Sequence, residues 1–388
     1  MDFVVFSHLR WNFVFQRPQH LMSRCSEGCR VFYWEEPVYG APAAFVEERD
    51  ISRKLKVAVP HLPDGLSAAE VNKVQKFLLA QLLSQYDVTD PVLWYYTPMA
   101  MHFTRDTPAR AIVYDCMDEL SAFRGAPEGL RAAEAELFGS ADLVFTGGKS
   151  LYESKRSQHP SVYCFPSSID REFFASARRL PRDIKEQAHI PHPRLGYSGV
   201  IDERMDLDLL AAAAEARPEW QFVMLGPVVK ISESDLPRSH NIHYLGQREY
   251  RSLPAFFAGW DVGLLPFALN ESTRYISPTK TPEYLAAGLP AVSTPIADVV
   301  DPYGTRGLVH IAGNREEFVD AIEEALKSRE SSTRLADVDR YLSGMSWDST
   351  WKQMNHLIHE VVNGAARGAE DRALNANALE RSLGCSIT

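Results

Sequence analysis

The stretch Ser277–Pro295, SPTKTPEYLAAGLPAVSTP, holds the residue types and spacing most suited to chemistry. It reads as a polar loop with Lys280, a short helix opening at Pro282, a stop at Gly288, and a buried strand. Free backbone N–H groups and the dipole at such a helix start suit a diphosphate, and Lys280 adds a full positive charge. Glu283, in the first turn, can accept two hydroxyl hydrogen bonds, as a ribose requires. By itself the stretch is also compatible with a capped helix whose Glu and Lys face solvent. Elsewhere, AIVYDCMDELSAF (111–123) puts Asp115 at the end of an apolar run and Asp118 just beyond it. Two carboxylates there can take up a proton or stabilise oxocarbenium-like charge; the alternative is that they cap the following turn. The first loop, SHLRWNFVFQRPQHLMSR, carries Arg10, Trp11, Phe13, Phe15, Arg17, His20 and Arg24. Aromatic faces stack on sugar rings and arginine forks grip phosphates, although a core-facing aromatic segment with solvent arginines fits equally well.

The elements that must position these groups follow an alternation of short apolar runs and helical-period segments, the pattern of parallel βαβ units. Strands are expected near Phe3–Ser7, Val31–Trp34, Val92–Tyr96, Arg110–Tyr114, Leu143–Thr146 and Val162–Phe165. A second series falls near Leu195–Ser198, Phe222–Leu225, Ile242–Leu245, Val262–Leu265, Ala291–Thr294 and Leu308–Ile311. The expected organisation is an α/β chain of two doubly wound, Rossmann-like domains: residues 1–180, a Pro-rich linker at 181–193, and residues 194–346. A helix at 347–363 follows, which Ser346 can cap, and then a small, polar, poorly ordered tail over 364–388. Ligands of such folds sit beyond the carboxyl ends of the strands, so the gap between the domains is the expected site.

Of 388 residues, 45% are hydrophobic and 24% charged, and the formal net charge is −10. That balance argues against a nucleic-acid partner. The cysteines Cys25, Cys29, Cys116, Cys164 and Cys385 form no CxxC pair and read as reduced thiols. No basic-then-apolar leader opens the sequence and no run of 18 apolar residues occurs, so membrane contact is expected only at the periphery. No strand is followed by GxGxxG, which disfavours a nicotinamide dinucleotide site.

The run PEYLAAGLPAVST resembles the donor-site signature of GT-B glycosyltransferases, especially the retaining glycosyltransferase family 4 group. The likeness extends through YSGVIDERMDLDLL (197–210), WQFVMLGP (220–227), IHYLGQREYRSLPAFFAGWDVGLLPF (242–267) and the SWDSTW helix, which in that family crosses back onto the N-terminal domain. It spans the C-terminal half and is weaker over the first half. The resemblance implies that Glu283 binds the nucleotide ribose and that Gly199 allows close backbone approach. It implies a clamp on the donor diphosphate by Arg204 with Lys280, where a surface ion pair of Arg204 with Asp202 or Asp206 is the alternative. The turn holding Gln247 and Arg248 would receive the base, and Asp115, with Asp118 behind it, would face the transferred sugar or acceptor. No DxD motif occurs in a suitable loop, so side chains, with no metal ion and no resident cofactor, are expected to stabilise the leaving group. The family's earlier acidic residue would fall at Tyr275, which is not acidic; Ser277 and Thr279 are the substitutes for holding sugar hydroxyls.

The implied activity is transfer of a sugar from a nucleotide-diphosphate sugar, such as a UDP or GDP sugar, to a glycan or lipid-linked acceptor in polysaccharide or glycoconjugate synthesis. This would be retaining, metal-independent and of hexosyltransferase type. Arg10, Trp11, Phe13 and Arg17 would hold the acceptor, and the location would be cytoplasmic with possible contact at the inner membrane face. A sugar-nucleotide epimerase of the same fold and a catalytically degenerate sugar-nucleotide-binding protein stand as alternatives.

Overall fold

A computed structural model describes residues 1–364, so Cys385 and the expected tail beyond Gly364 lie outside it. The N-terminal sheet is built from β1 (Asp2–Ser7), β2 (Arg30–Glu35), β3 (Val38–Tyr39), β4 (Phe45–Ser52), β5 (Leu55–Leu62), β6 (Val92–Tyr95), β7 (Ala111–Cys116), β8 (Leu143–Thr146) and β9 (Val162–Cys164). Their order is β3-β5-β2-β1-β6-β7-β8-β9, with β4 antiparallel on β5 and every other pairing parallel. The chain therefore works outward from β1 on one side and returns to start the other side at β6.

The central strands carry near-continuous apolar runs because both sheet faces are covered. Phe3 and Val5 of β1 point to one face, where Leu21, Met22, Trp347, Met354, Ile358 and Val362 pack. Val4 and Phe6 point to the other, against Leu78, Leu79 and Leu82 of the helix Ala68–Gln85. That helix begins with a capping box, Ser67 Oγ accepting from the Glu70 amide and the Glu70 carboxylate accepting from the Ser67 amide.

The C-terminal sheet comprises β10 (Arg194–Ser198), β11 (Gln221–Leu225), β12 (Ile242–Gly246), β13 (Val262–Leu265), β14 (Ala291–Ser293) and β15 (His310–Ile311). The order β12-β11-β10-β13-β14-β15 is wholly parallel and reverses direction between β10 and β13. All twelve expected strands are present. Missing from the expectation were β3–β5 and a helix at Ser332–Leu342. Strand β4, FVEERDIS, is a charged edge strand, and β5 contains Pro60, so neither shows the apolar alternation that marks a strand.

Residues 181–193 are a tight strap on the C-terminal lobe. Gln187 and Ile190 are fully buried, the Gln187 amide donates to the Phe256 carbonyl at 3.0 Å, and Arg182 and His192 both engage Asp261. After this lobe the chain crosses back. Ser346 Oγ accepts from the Ser349 amide at 3.0 Å, and a helix at 347–364 lies across the face of β1 and β6. Its Trp347 stacks on His20 of the first helix, Arg17–Gly28, with ring centres 4.6 Å apart. Among the described residues no helix is long and apolar enough to cross a membrane.

Candidate active site

The carboxyl ends of both sheets face each other across a cleft of about 1070 Å³. One wall is the aromatic loop after β1, with Trp11, Asn12, Phe13, Val14 and Phe15; the other is Gly199, Gly226, Gln247 and Arg248 at the ends of β10, β11 and β12. A smaller hollow of about 130 Å³ opens from the same place, sharing Ser198, Gly199 and Lys280. Arg204, Asp118, Ser277 and Thr279 line it.

Backbone shape fixes these walls. The Gly199 amide donates to the Leu225 carbonyl at 2.9 Å, bringing the ends of β10 and β11 together. Gly226 has φ of +151°, and a side chain there would place its Cβ only 1.7 Å from the Gly199 oxygen. Only glycine fits. The helix after the donor loop runs Lys280–Ala286, with Thr279 at its N-cap. Pro282 is therefore the third helical residue, not the first: the Pro278–Thr281 turn, closed by a 3.2 Å bond, winds the helix two residues earlier than proline preference suggests. The amides of Ser277, Thr279 and Lys280 donate to no other group among the described residues, and these residues border the hollow.

The charged side chains are paired. Arg204 grips both oxygens of Asp202 through Nε and Nη2, at 2.7–3.1 Å, as the ion-pair alternative required. Burial works against its charge, but the bonds to Asp202 outweigh that and raise its pKa. Its Nη1 makes no hydrogen bond within the described residues, and the guanidinium lies 5.3 Å from the centre of the Phe123 ring. Lys280 Nζ donates to Glu283 Oε2 at 2.7 Å. Glu283 is 3% exposed and sits behind Lys280, which forms the cleft wall in its place. Burial raises the Glu283 carboxyl above its ordinary value, against the pull of Lys280.

Asp115 and Arg17 require correction. Asp115 is fully buried beneath the cleft, and Arg17 holds it through Nε at 3.0 Å to both oxygens and Nη2 at 2.8 Å. Arg17 Nη1 goes to the Phe165 carbonyl at 2.7 Å. The pair thus ties the first helix to β7; Arg17 borders the hollow, but with its charge already engaged by Asp115. Arg10 likewise turns away, to Glu35 at 3.1 Å and the Glu36 carbonyl. Of the expected acceptor residues, Trp11 and Phe13 stand on the cleft wall. Asp118 is the carboxylate that reaches the hollow, and burial pushes it up to about 6 against the pull of Arg204 and Arg17.

Several contacts across the cleft left no signal in the sequence. Phe15 stacks on Tyr250 across the gap at 4.5 Å, and Gln247 Nε2 donates to the Phe13 carbonyl. Phe123 lies between Arg204 and Lys230 of the other lobe. The Asp298 carboxylate accepts from the amides of Lys149 and Ser150 at 2.8 and 2.9 Å, capping a helix of the N-terminal lobe from the C-terminal one. Each is a pair distant in sequence.

Residues 192–328 match the family model described as glycosyl transferases group 1. Nearly the whole chain superposes on a sucrose-phosphate synthase from Thermosynechococcus elongatus, with a TM-score of 0.73, 14% identity, and 94% and 99% of the two chains covered. The chain has the GT-B fold, and residues 192–328 carry a glycosyl transferases group 1 domain. The chain is also 23% identical over 286 residues, 69% of its length and 67% of the relative's, to a Bacillus subtilis (strain 168) protein that carries the name teichuronic acid biosynthesis glycosyltransferase TuaH. A further structural neighbour is the catalytic domain of starch synthase IV from Arabidopsis thaliana bound to ADP and acarbose (TM-score 0.62, 11% identity, 93% and 99% covered). An E. coli structure described as trehalose-6-phosphate bound with UDP-2-fluoro glucose scores 0.66 at 14% identity, covering 93% and 99%.

Proposed function

We propose that the transferase moves a hexosyl group from a nucleotide-diphosphate sugar to a glycan or lipid-linked acceptor, with retention and without a metal ion, in polysaccharide or glycoconjugate synthesis. The observation that carries this reading is the hollow where Arg204, Lys280 and the partner-free amides of Ser277, Thr279 and Lys280 meet. A departing nucleoside diphosphate gains negative charge as the sugar–oxygen bond breaks, and donors already aimed at that charge favour its departure. The free Nη1 of Arg204 and the remaining protons of Lys280 are those donors. Gly199 and Gly226 leave room for backbone contact with the phosphates, and Gln247 and Arg248 border the larger cleft, where the base would lie.

Glu283 would take the ribose once Lys280 turns toward phosphate, since the two now share one hydrogen bond. Asp118 is the group in the hollow suited to balancing positive charge on the sugar or taking the acceptor proton. Trp11 and Phe13 would offer stacking faces to the acceptor. A relative named for teichuronic acid biosynthesis supports a polymer-building role, and neighbours bound with ADP or a UDP sugar support the donor class. Peripheral contact with the cytoplasmic membrane face belongs to the lipid-linked version of the acceptor. The deciding experiment is a thermal-shift screen of UDP, GDP, ADP and their sugars, repeated with Lys280→Ala. A rise with one nucleotide that disappears in the variant supports the reading, whereas an unchanged rise, or none with any nucleotide, refutes it. Proton NMR of the first-formed product then reads retention from its anomeric coupling.

A further inference from the structure

A second cavity, of about 660 Å³, lies in the N-terminal lobe and shares no lining residue with the cleft or its hollow. It opens at the carboxyl ends of β1, β2 and β6, the place where the strand order of that sheet reverses. Open α/β sheets bind ligands at such reversals. The partition from the cleft is built from Arg10 and Trp11: Arg10 binds Glu35 and the carbonyls of Glu36 and Pro37, and the Trp11 amide donates to Glu35 at 2.8 Å.

The lining has a definite chemistry. Tyr39 stands on the rim, 51% exposed, with its ring open to solvent, and Trp34 and Phe103 form buried apolar walls. Gln75 is 6% exposed; its Oε1 accepts from Trp34 Nε1 at 3.3 Å, while its Nε2 donates to no group among the described residues. An amide donor without a protein partner, carried by a buried side chain in a pocket wall, is open to an acceptor from a ligand. Glu35, Glu36 and Glu128 also line the pocket, Glu35 being already engaged by Arg10, Arg49 and the Trp11 amide, and no lysine or arginine lines it. Aromatic faces, an amide and carboxylate acceptors suit a ring bearing hydroxyl groups, and the same carboxylates repel phosphate or uronate.

We infer that this cavity is a distal subsite that grips a neutral sugar residue of the acceptor, away from the reacting end. The inference rests on the reading of the chain as a transferase that extends a glycan. It implies an acceptor of at least two sugar units, one at the cleft and one beyond the Arg10–Glu35 partition.

The test is binding of the full chain, saturated with the best nucleotide, to an array of neutral and acidic glycans, alongside Tyr39→Ala and Gln75→Ala. Expected is selection of neutral oligosaccharides, with at least tenfold weaker binding in each variant and an unchanged nucleotide-induced thermal shift. Tyr39 is on the rim, so its variant keeps the fold even if Gln75→Ala does not. Selection of acidic glycans, capture of none, or binding indifferent to Tyr39→Ala overturns the inference. The nucleotide shift on the same samples reports the donor reading independently: its absence sinks that reading whatever the array shows.

Discussion

The two cations of the hollow are held by carboxylates before any donor arrives, and this sets what their removal does. Lys280→Ala deletes a charge-assisted contact to phosphate of about 2 kcal/mol, roughly a 30-fold loss of nucleotide affinity, readable by calorimetry. It also strands the buried Glu283, so a lower melting temperature is expected in the same protein. Asp118 supplies a pH signature. Its pKa near 6 lies above the ordinary carboxylate value, so it is charged above about pH 6 and neutral below. If its carboxylate is the working form, kcat/KM falls as pH drops through about 6, and Asp118→Asn is slow with that limb flattened; an unaltered limb in the variant would assign it elsewhere. Lys280, Arg204, Gly199, Asp118, Gln247 and the Ser277–Thr279 loop could all be located at the cleft from sequence, because motif spacing after a strand fixes which end of a sheet a residue occupies. The pairings could not. Arg17 and Asp115 are 98 positions apart, and nothing local shows that one neutralises the other.

At the scale of elements, the strand ends shape the cleft and the last helix braces it. Gly226→Ala forces a Cβ against the Gly199 oxygen in a backbone region that L-residues avoid, costing about 1–3 kcal/mol and displacing the turn that faces the donor. Both a lower unfolding midpoint and weaker nucleotide binding are expected. Trp347 is 1% exposed against His20 and the β1 face, and Trp347→Ala should cost about 3–5 kcal/mol in chemical denaturation. The twelve core strands were legible because burial on both faces leaves long apolar runs. The β4–β5 hairpin was not, since a solvated edge strand keeps charged residues at most positions.

For the whole molecule, the lobes are joined by side-chain contacts that a moving cleft must break. Asp298 caps the helix Lys149–Lys155 from the opposite lobe, and Lys149 meets Asp301 at 2.5 Å. Asp298→Ala should remove about 1 kcal/mol of capping energy and bias the lobes apart. Small-angle scattering would show this as a larger radius of gyration, reduced again by a saturating donor; identical curves for both proteins would mean the latch does not govern opening.

The return of residues 347–364 to the first sheet also orders events during synthesis. The lobe that leaves the ribosome first lacks part of its apolar cover until the chain has passed residue 347, some 180 residues after its last strand emerges. The second lobe carries no such debt, and completes its own sheet earlier. A premature stop in the mid-340s would therefore do its damage at the opposite end of the polypeptide, leaving Phe3, Val5 and Trp94 partly uncovered and the nascent product prone to clump.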